Sequence, residues 1–386
     1  MARITPFKGA STAQFYVPEV TPGVTPTSPA WLPLRNTGGV PAVTRDALVS
    51  NELDGSRETS SIRTGNKQVA GEYAIELSAR SQDDFLAGAL SSSWSGVIAS
   101  TTHEITVDPV AKTFTSADAL TNIVVGDLVA FVGLTGNNAR PFIVTALNGL
   151  VITGAAIQYE LTAETETASL HYPEHLMTGS QCKSFSILTW FKGQCGGTDA
   201  FVVTRGVEIS GYTIEQAVNA MVTGSFPFIG TSQEVLTALP SGSTFSTNFT
   251  AQPFSSVDVS AFNGEAQLKL INTFTITNDN SASAQFELGN PEVAFVEKGR
   301  AVNTFSLAGM LYDMTLLDLF LNETQVELTS ILSGPDGAMS FTLKRAELTS
   351  ATPEIGGPES VTLSMEGQAT GNQQQSSIII QRLSIA

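Results

Sequence analysis

The residues best equipped for chemistry fall in a few short stretches. His171-Tyr172-Pro173-Glu174-His175 fits H-x-x-E-H, a zinc-protease spacing in which two histidines one helical turn apart hold the metal. A helix starting here would take Pro173 as its first residue and leave His171 outside, so the two rings would not share a face. The one other histidine, His103, lies far upstream. The stretch therefore reads as a linker. Asp83-Asp84 offers adjacent carboxylates for acid–base work, but neighbouring helix residues point apart, and a helix cap accounts for Asp84. Cys182 and Cys195 lack a CxxC spacing and a catalytic histidine pattern, and read as thiols of a reducing cytoplasm. No Walker motif, G-x-S-x-G elbow or phosphate-cradling glycine loop occurs. Trp94 and Trp190 read as core or interface anchors. The chain is expected to be no enzyme, with no metal and no cofactor.

The informative pattern lies elsewhere, in residues 69–90, VAGEYAIELSARSQDDFLAGAL. Tyr73, Ile75 and Leu77 alternate with Glu72, Ala74, Glu76 and Ser78, the period of a strand with one buried face. Ser81-Gln82-Asp83-Asp84 then spells a capping box, and Phe85, Leu86 and Leu90 form the apolar side of a short helix. The pattern returns 234 positions later in residues 304–324, where Phe305, Leu307 and Leu311 alternate and Thr315-Leu316-Leu317-Asp318 repeats the box. The chain thus contains two sibling units.

Composition agrees with a strand-rich protein. Of 386 residues, 42% are hydrophobic and 14% charged, and no apolar run is long enough to span a membrane. The N-terminus lacks the apolar core of a signal peptide. A net charge of −17 excludes tight wrapping of nucleic acid, which needs basic clusters against phosphate.

Five regions follow. Residues 1–30, with five prolines, read as an extended arm ordered against a neighbour. Residues 31–95 plus 176–230 form the first unit, with a polar loop at 47–67 and strands at 184–191, 201–209 and 217–228. Residues 96–175 interrupt it as a compact inserted β-domain, with strands at 103–107, 127–133, 141–147, 151–153 and 158–162. Residues 231–265 read as a linker. Residues 266–386 form the second unit, with strands at 267–277, 326–332, 340–349 and 360–367, a polar loop at 289–300 and an edge strand at 377–382. Arg205-Gly-Val-Glu208-Ile-Ser and Lys344-Arg345-Ala-Glu347-Leu-Thr echo each other. Each unit is a sheet with one helix over its apolar face and raw edges open to pairing with another copy. Closing copies edge to edge removes the edges and leaves the polar faces lining a wet hole.

With these residues in view, the chain resembles the major tail tube proteins of long-tailed bacteriophages, in the duplicated type with two tube domains per chain. The resemblance rests on GEYAIELSARSQDDFLAGAL, the polar loop before it, SFSILTWF and RGVEISGYTIEQAVNAMVTGSFPF. It implies a mainly β (α+β) fold in which two tandem domains join a shared β-barrel ring on oligomerisation, with a small β-barrel inserted. It also implies trimeric, pseudo-hexameric rings that stack into a tube. Glu72, Glu76, Thr204, Glu208, Thr362, Ser364 and Glu366 are expected to face the lumen. Glu52, Asp54, Arg57, Glu58, Arg63, Lys67, Glu292, Glu297, Lys298 and Arg300 are expected in loops between rings. The implied partners are the chain itself, the tape measure protein, tail completion and tip proteins, and viral DNA passing without tight binding, in a virion assembled in the host cytoplasm. Two other readings compete: a tube protein of a contractile injection or secretion system, and a secreted carbohydrate-binding β-protein. The first lacks a reason for the duplication. The second should show an aromatic groove and a signal peptide.

Overall fold

The computed structural model describes residues 6–384 except 54–56, 97–99, 155–159, 196, 248–249 and 373. Asp54 and part of the strand expected at 158–162 therefore lie outside the described residues. The first portion forms β1 (Thr12–Pro18), β2 (Ala30–Pro33), β3 (Ala42–Val49), β4 (Ile62–Glu76) and helix α1 (Asp83–Ala89). Next come β5 (Ser100–Asp108), β6 (Thr113–Ser116), β7 (Leu128–Val132), β8 (Phe142–Asn148), β9 (Val151–Gly154) and β10 (Glu164–His171). Then follow β11 (Glu174–Met177), β12 (Phe185–Phe191), β13 (Ala200–Ile209), β14 (Gly211–Ala217), β15 (Thr223–Gly230) and β16 (Ser232–Leu236). After β17 (Thr244–Phe245), β18 (Val259–Asn263) and β19 (Ala266–Gln267) come β20 (Ile271–Asp279), β21 (Ser283–Gln285), β22 (Phe295–Glu297) and β23 (Val302–Met310). Helix α2 (Thr315–Leu321), β24 (Val326–Gly334), β25 (Gly337–Glu354), β26 (Thr362–Ala369) and β27 (Ile378–Leu383) complete the order. The protein is mainly β.

One layer is a run of antiparallel strands, β3–β4–β15–β14, joined directly to a second run, β20–β23–β26 and the last residues of β25. The two runs correspond strand for strand: Thr223 of β15 opposes Glu76, and Thr362 of β26 opposes Met310. A second layer repeats likewise, β1–β12–β13–β16 in the first half and β18–β24–β25–β27 in the second. Alternation drives both: Tyr73, Ile75, Phe226 and Phe228 are buried on one face of the first run, and Phe305, Leu307, Leu363 and Met365 on the same face of the second. They share one core with Phe85, Phe185, Leu328, Phe341 and Leu343 from the other layer and α1. Phe85 touches the rings of Tyr16, Tyr73, Phe185 and Phe226, with centroids 5.1 to 6.1 Å apart. The helix is thus wedged into a two-layer core, which the one-sheet unit read from sequence did not include.

Two long segments pass from one layer to the other, β13 into β14 and β25 along its own length. At the crossing, Gly206 (φ 62°) and Arg345 (φ 51°) occupy equivalent left-handed positions. Gly206 is doubly constrained: its N–H donates to Glu19 Oε1, and a Cβ there would lie 2.3 Å from Thr231 Oγ1. Gly206→Ala should therefore lower stability by roughly 2 kcal/mol or more in denaturant titration, about half from backbone strain and the rest from the clash. Adding Thr231→Gly should return the clash share only. Full recovery, or no loss in the single variant, would contradict this account.

Several expectations need correcting. The N-terminal segment is not held for a neighbour: β1 pairs with β12 along its whole length, and the Glu19 carboxylate accepts from Gly23 N, Ser184 Oγ, Ser186 Oγ and Gly206 N. The residues read as a linker contain β18, which pairs with β24 as β1 pairs with β12. The strand expected at 217–228 is the second half of a hairpin, because Asn219 (φ 58°) turns the chain between β14 and β15. The final strand is no edge; β27 lies between β25 and β11. Neither capping box forms. Gln82 and Met314 are the N-caps, Ser81 Oγ bonds within the turn at Ser78, and Asp84 accepts from Tyr16 Oη at 3.0 Å.

The segment from β5 to β10 closes into a six-stranded barrel in the order β10-β5-β6-β9-β8-β7. The described residues at 160–162 are not strand, and β6 and β10 went unforeseen. Phe114 and Phe142 stack at 4.7 Å in its centre. Its core continues into Phe262, Ile331, Ala338 and Leu383 of the second half, so the barrel is seated and not a loose decoration. Gln381 ties it down, accepting from Leu128 N and donating to Gly126 O.

Candidate assembly surface

The H-x-x-E-H stretch spans β10 and β11 and is extended, which separates its histidines. His171 Nδ1 meets Ser384 O at 2.8 Å, and His175 Nε2 meets Asp127 Oδ1 at 3.0 Å. Glu174 ion-pairs with Arg382 at 2.6 Å. Among the described residues no group of three His, Cys, Asp or Glu could hold a metal, and no helix is long and apolar enough to cross a membrane. Cys182 and Cys195 are free and exposed.

Asp83 forms the other arm of this ion-pair cluster. Arg382 bridges Asp83 and Glu174 and stacks over Trp94, 4.3 Å from its ring centroid, while Trp94 Nε1 donates to Asp83 O. Burial pushes the Asp83 carboxyl up to about 6, against the pull of Arg382 and Arg80. The cluster locks α1, β11 and the C-terminal strand together. Its members are taken up by one another, and it reads as structural.

Among the described residues the large sheet leaves one face and two edges uncovered. Opposite the buried face, successive partners make a row across seven strands: Glu76, Thr223, Glu215, Thr275, Ser306, Glu366 and Ser350. A second row runs Ala74, Ser225, Thr213, Thr277, Thr304 and Gln368. Glu72, Thr362 and Ser364 lie on the same face, as does Glu354 opposite Thr362. The first row is small polar residues and carboxylates, the second small or polar uncharged residues, and neither holds Lys or Arg. Such a wall repels polyanions.

Thr204 and Glu208 do not lie in these rows. Thr204 is in the other layer, buried, accepting from Gln233 Nε2 at 3.1 Å. Glu208 is half-buried and pairs with Lys298 at 3.7 Å. The bulge at Gly206 resets the parity of alternation and turns Thr204 to the core, whereas Glu208 opposes Ile229 and keeps the face that carries Glu72, where it pairs with Lys298. Lys298 is equally far from a free loop. Its Nζ donates to Gly88 O at the end of α1 and lies 3.4 Å from Ser91 Oγ, with burial pulling its pKa down. Lys67 pairs with Glu292 at 3.2 Å, and Glu297 accepts from Gln285. Glu52, Arg57, Glu58, Arg63 and Arg300 are exposed. Alternation in INTFTIT and GYTIEQA could have supplied Thr273, Thr275, Thr277 and Glu215 as members of the polar face; only these strands' pairing partners were hidden.

The edges are unequal to the rest. Among the described residues β3 pairs with β4 alone, and all its residues are exposed. At the far end, Ser350 to Glu354 of β25 pair with β26 alone. Each edge carries a proline, Pro41 just before β3 and Pro353 within β25. Prolines blunt an exposed strand against indiscriminate pairing.

No curated protein matches the chain. Residues 9–369 match the family described as phage tail tube protein. That span takes in both runs of the sheet, the inserted barrel and both free edges, and the chain accordingly belongs to the phage tail tube proteins, structural proteins of the virion tail.

Proposed function

We propose that this protein is a non-enzymatic subunit whose two halves act as tandem tube domains, and that three chains close edge to edge into a ring. Each chain would add eight strands, for a wall of about 24. The rings would stack into the tail tube. Their lumen, faced by Glu72, Glu76, Glu215, Glu354 and Glu366, would let DNA slide without sticking, since carboxylates repel phosphate where a basic wall would bind it. The tape measure protein would occupy the same channel before DNA, and completion and tip proteins would meet the ends. Subunits would be made in the host cytoplasm and assembled there.

The observation that carries this reading is the junction between β14 and β20, where the halves of one chain already meet as neighbouring chains would. Gly211 opposes Asp279 there, and Ala217 opposes Thr273. Transferring that register to the free edges sets Ser350 opposite Thr44, Ala351 opposite Val43 and Pro353 opposite Pro41 of the next copy. With Cys182 and Cys195 replaced by serine, Thr44→Cys/Ser350→Cys should oxidise to a covalent trimer on denaturing gels. A pair in this position has the Cα spacing a disulfide needs. Thr44→Cys/Glu366→Cys, one strand further in, should not cross-link. Equal yields, or a trimer from neither, would refute the edge pairing.

A further inference from the structure

The two helices end alike and are covered differently. Ser91 and Glu323 both take φ 50°, and Ser92 N→Ala87 O and Thr324 N→Leu319 O close the two helices in the same way. Yet six of the seven residues of α1 are buried, and none of α2. What covers the end of α1 comes from the far side of the β14–β20 junction. The hairpin after β20 sends Asn280 Nδ2 to Ala89 O at 2.6 Å and Lys298 Nζ to Gly88 O at 3.0 Å, beside Glu208.

At α2 the counterparts stand without that cover. Leu319, Phe320, Leu321, Gln325, Glu347 and Leu348 line an open groove of about 590 Å³. Glu347 occupies the place of Glu208, and among the described residues its carboxylate accepts from Gln325 alone, at 2.8 Å. Among the described residues no side chain donates to Phe320 O or Leu321 O.

The hairpin equivalent to 280–301 is the one between β3 and β4. In the transferred register Arg45 takes the place of Asn280, and Arg63 stands one residue from the place of Lys298. Both arginines are exposed and form no ion pair among the described residues. We propose that the groove beside α2 is the docking site for the β3–β4 hairpin of a second copy, with Arg45 and Arg63 meeting Glu347 and the carbonyls that end α2. This rests on the edge-to-edge ring proposed above. The cations would face a helix C-terminus and a carboxylate, the arrangement Lys298 already has within one chain.

The test is a charge swap read by sedimentation and electron microscopy, with the Thr44–Ser350 cross-link reporting ring closure separately. Glu347→Lys alone, and Arg45→Glu/Arg63→Glu alone, should each raise the concentration for half-assembly about tenfold or more, most strongly at low salt. Combining all three should restore assembly to within about threefold of the parent. Thermal unfolding of unassembled protein, matched across variants, excludes a folding defect. Normal assembly of either charge variant, or a combination no better than its parts, would overturn this docking while leaving the ring intact. Absence of the cross-link in the parent would overturn the ring and the docking together.

Discussion

Arg382→Met should cost roughly 3–5 kcal/mol of stability at pH 8, the largest loss expected from any single change in the described ion pairs. Methionine keeps much of the volume against Trp94 but removes the charge. It strands Asp83 and Glu174, whose side chains are only 11% and 14% exposed. The cluster joins α1 to the C-terminal strand across nearly 300 positions of sequence, so its failure loosens both halves and the seat of the barrel. The loss should depend on pH in a definite direction. Asp83 already sits at about 6 in the folded chain, above its ordinary 3.8. A raised carboxyl contributes stability that is complete below about pH 4 and is lost as pH rises through about 6. Removing Arg382 removes the main lowering influence, so the carboxyl climbs further. The variant's deficit should shrink on going from pH 8 to pH 5, as Asp83 takes up a proton. A deficit below about 1 kcal/mol at pH 8, or one that grows on acidification, would show that the cluster is not a load-sharing tie.

How much of this was readable beforehand depends on what kind of feature is asked about. The alternation of Tyr73, Ile75 and Leu77 and the apolar Phe85 and Leu86 stood out because period and burial coincide there, and all five are in the core. The recurrence of that stretch pointed to a second run of strands that corresponds to the first. Parity failed wherever a single residue changes the backbone's hand. Asn219 bends a continuous alternation into a hairpin, and Gly206 flips β13, which turns Thr204 into the core while Glu208 stays on the polar side and pairs with Lys298. Neither event alters the hydrophobic pattern that a reader follows. The roles of Lys298 and Asn280 were illegible for another reason. Their partners, the carbonyls of Gly88 and Ala89, lie about 200 positions away, and nothing local to either stretch records the encounter. The helices show the limit most sharply: TLLDLFL is more apolar than DDFLAGA, yet only the second is buried. Cover is set by which elements arrive over a helix, and propensity carries no trace of that.

Ala351→Pro should abolish rings and tubes while leaving the single chain nearly as stable as before. Val218 N donates to Asn272 O across the β14–β20 junction, and Asn280 N donates to Ser210 O. Amides alternate in direction along a strand, so Tyr212, two residues on from Ser210, also faces β20. Ala351 is the counterpart of Tyr212 on the free edge, and its N–H therefore points away from β26 toward the next copy. In the transferred register the Pro353–Pro41 pair supplies no donor from either side, which leaves Ala351 and Val43 as the central pair able to exchange both bonds. Proline at 351 would remove one donor and set its ring against Val43, costing about 1–3 kcal/mol at each junction. The cost recurs at every junction of a closed ring and of the stack above it, so assembly should fail altogether. Thr352→Pro provides the contrast. Its N–H faces β26 inside the chain, and it should destabilise the monomer by a similar amount. Sedimentation and thermal unfolding of the two variants side by side separate the cases. If Ala351→Pro assembles like the parent, or loses as much monomer stability as Thr352→Pro, then the last residues of β25 are not the edge on which the tube is built.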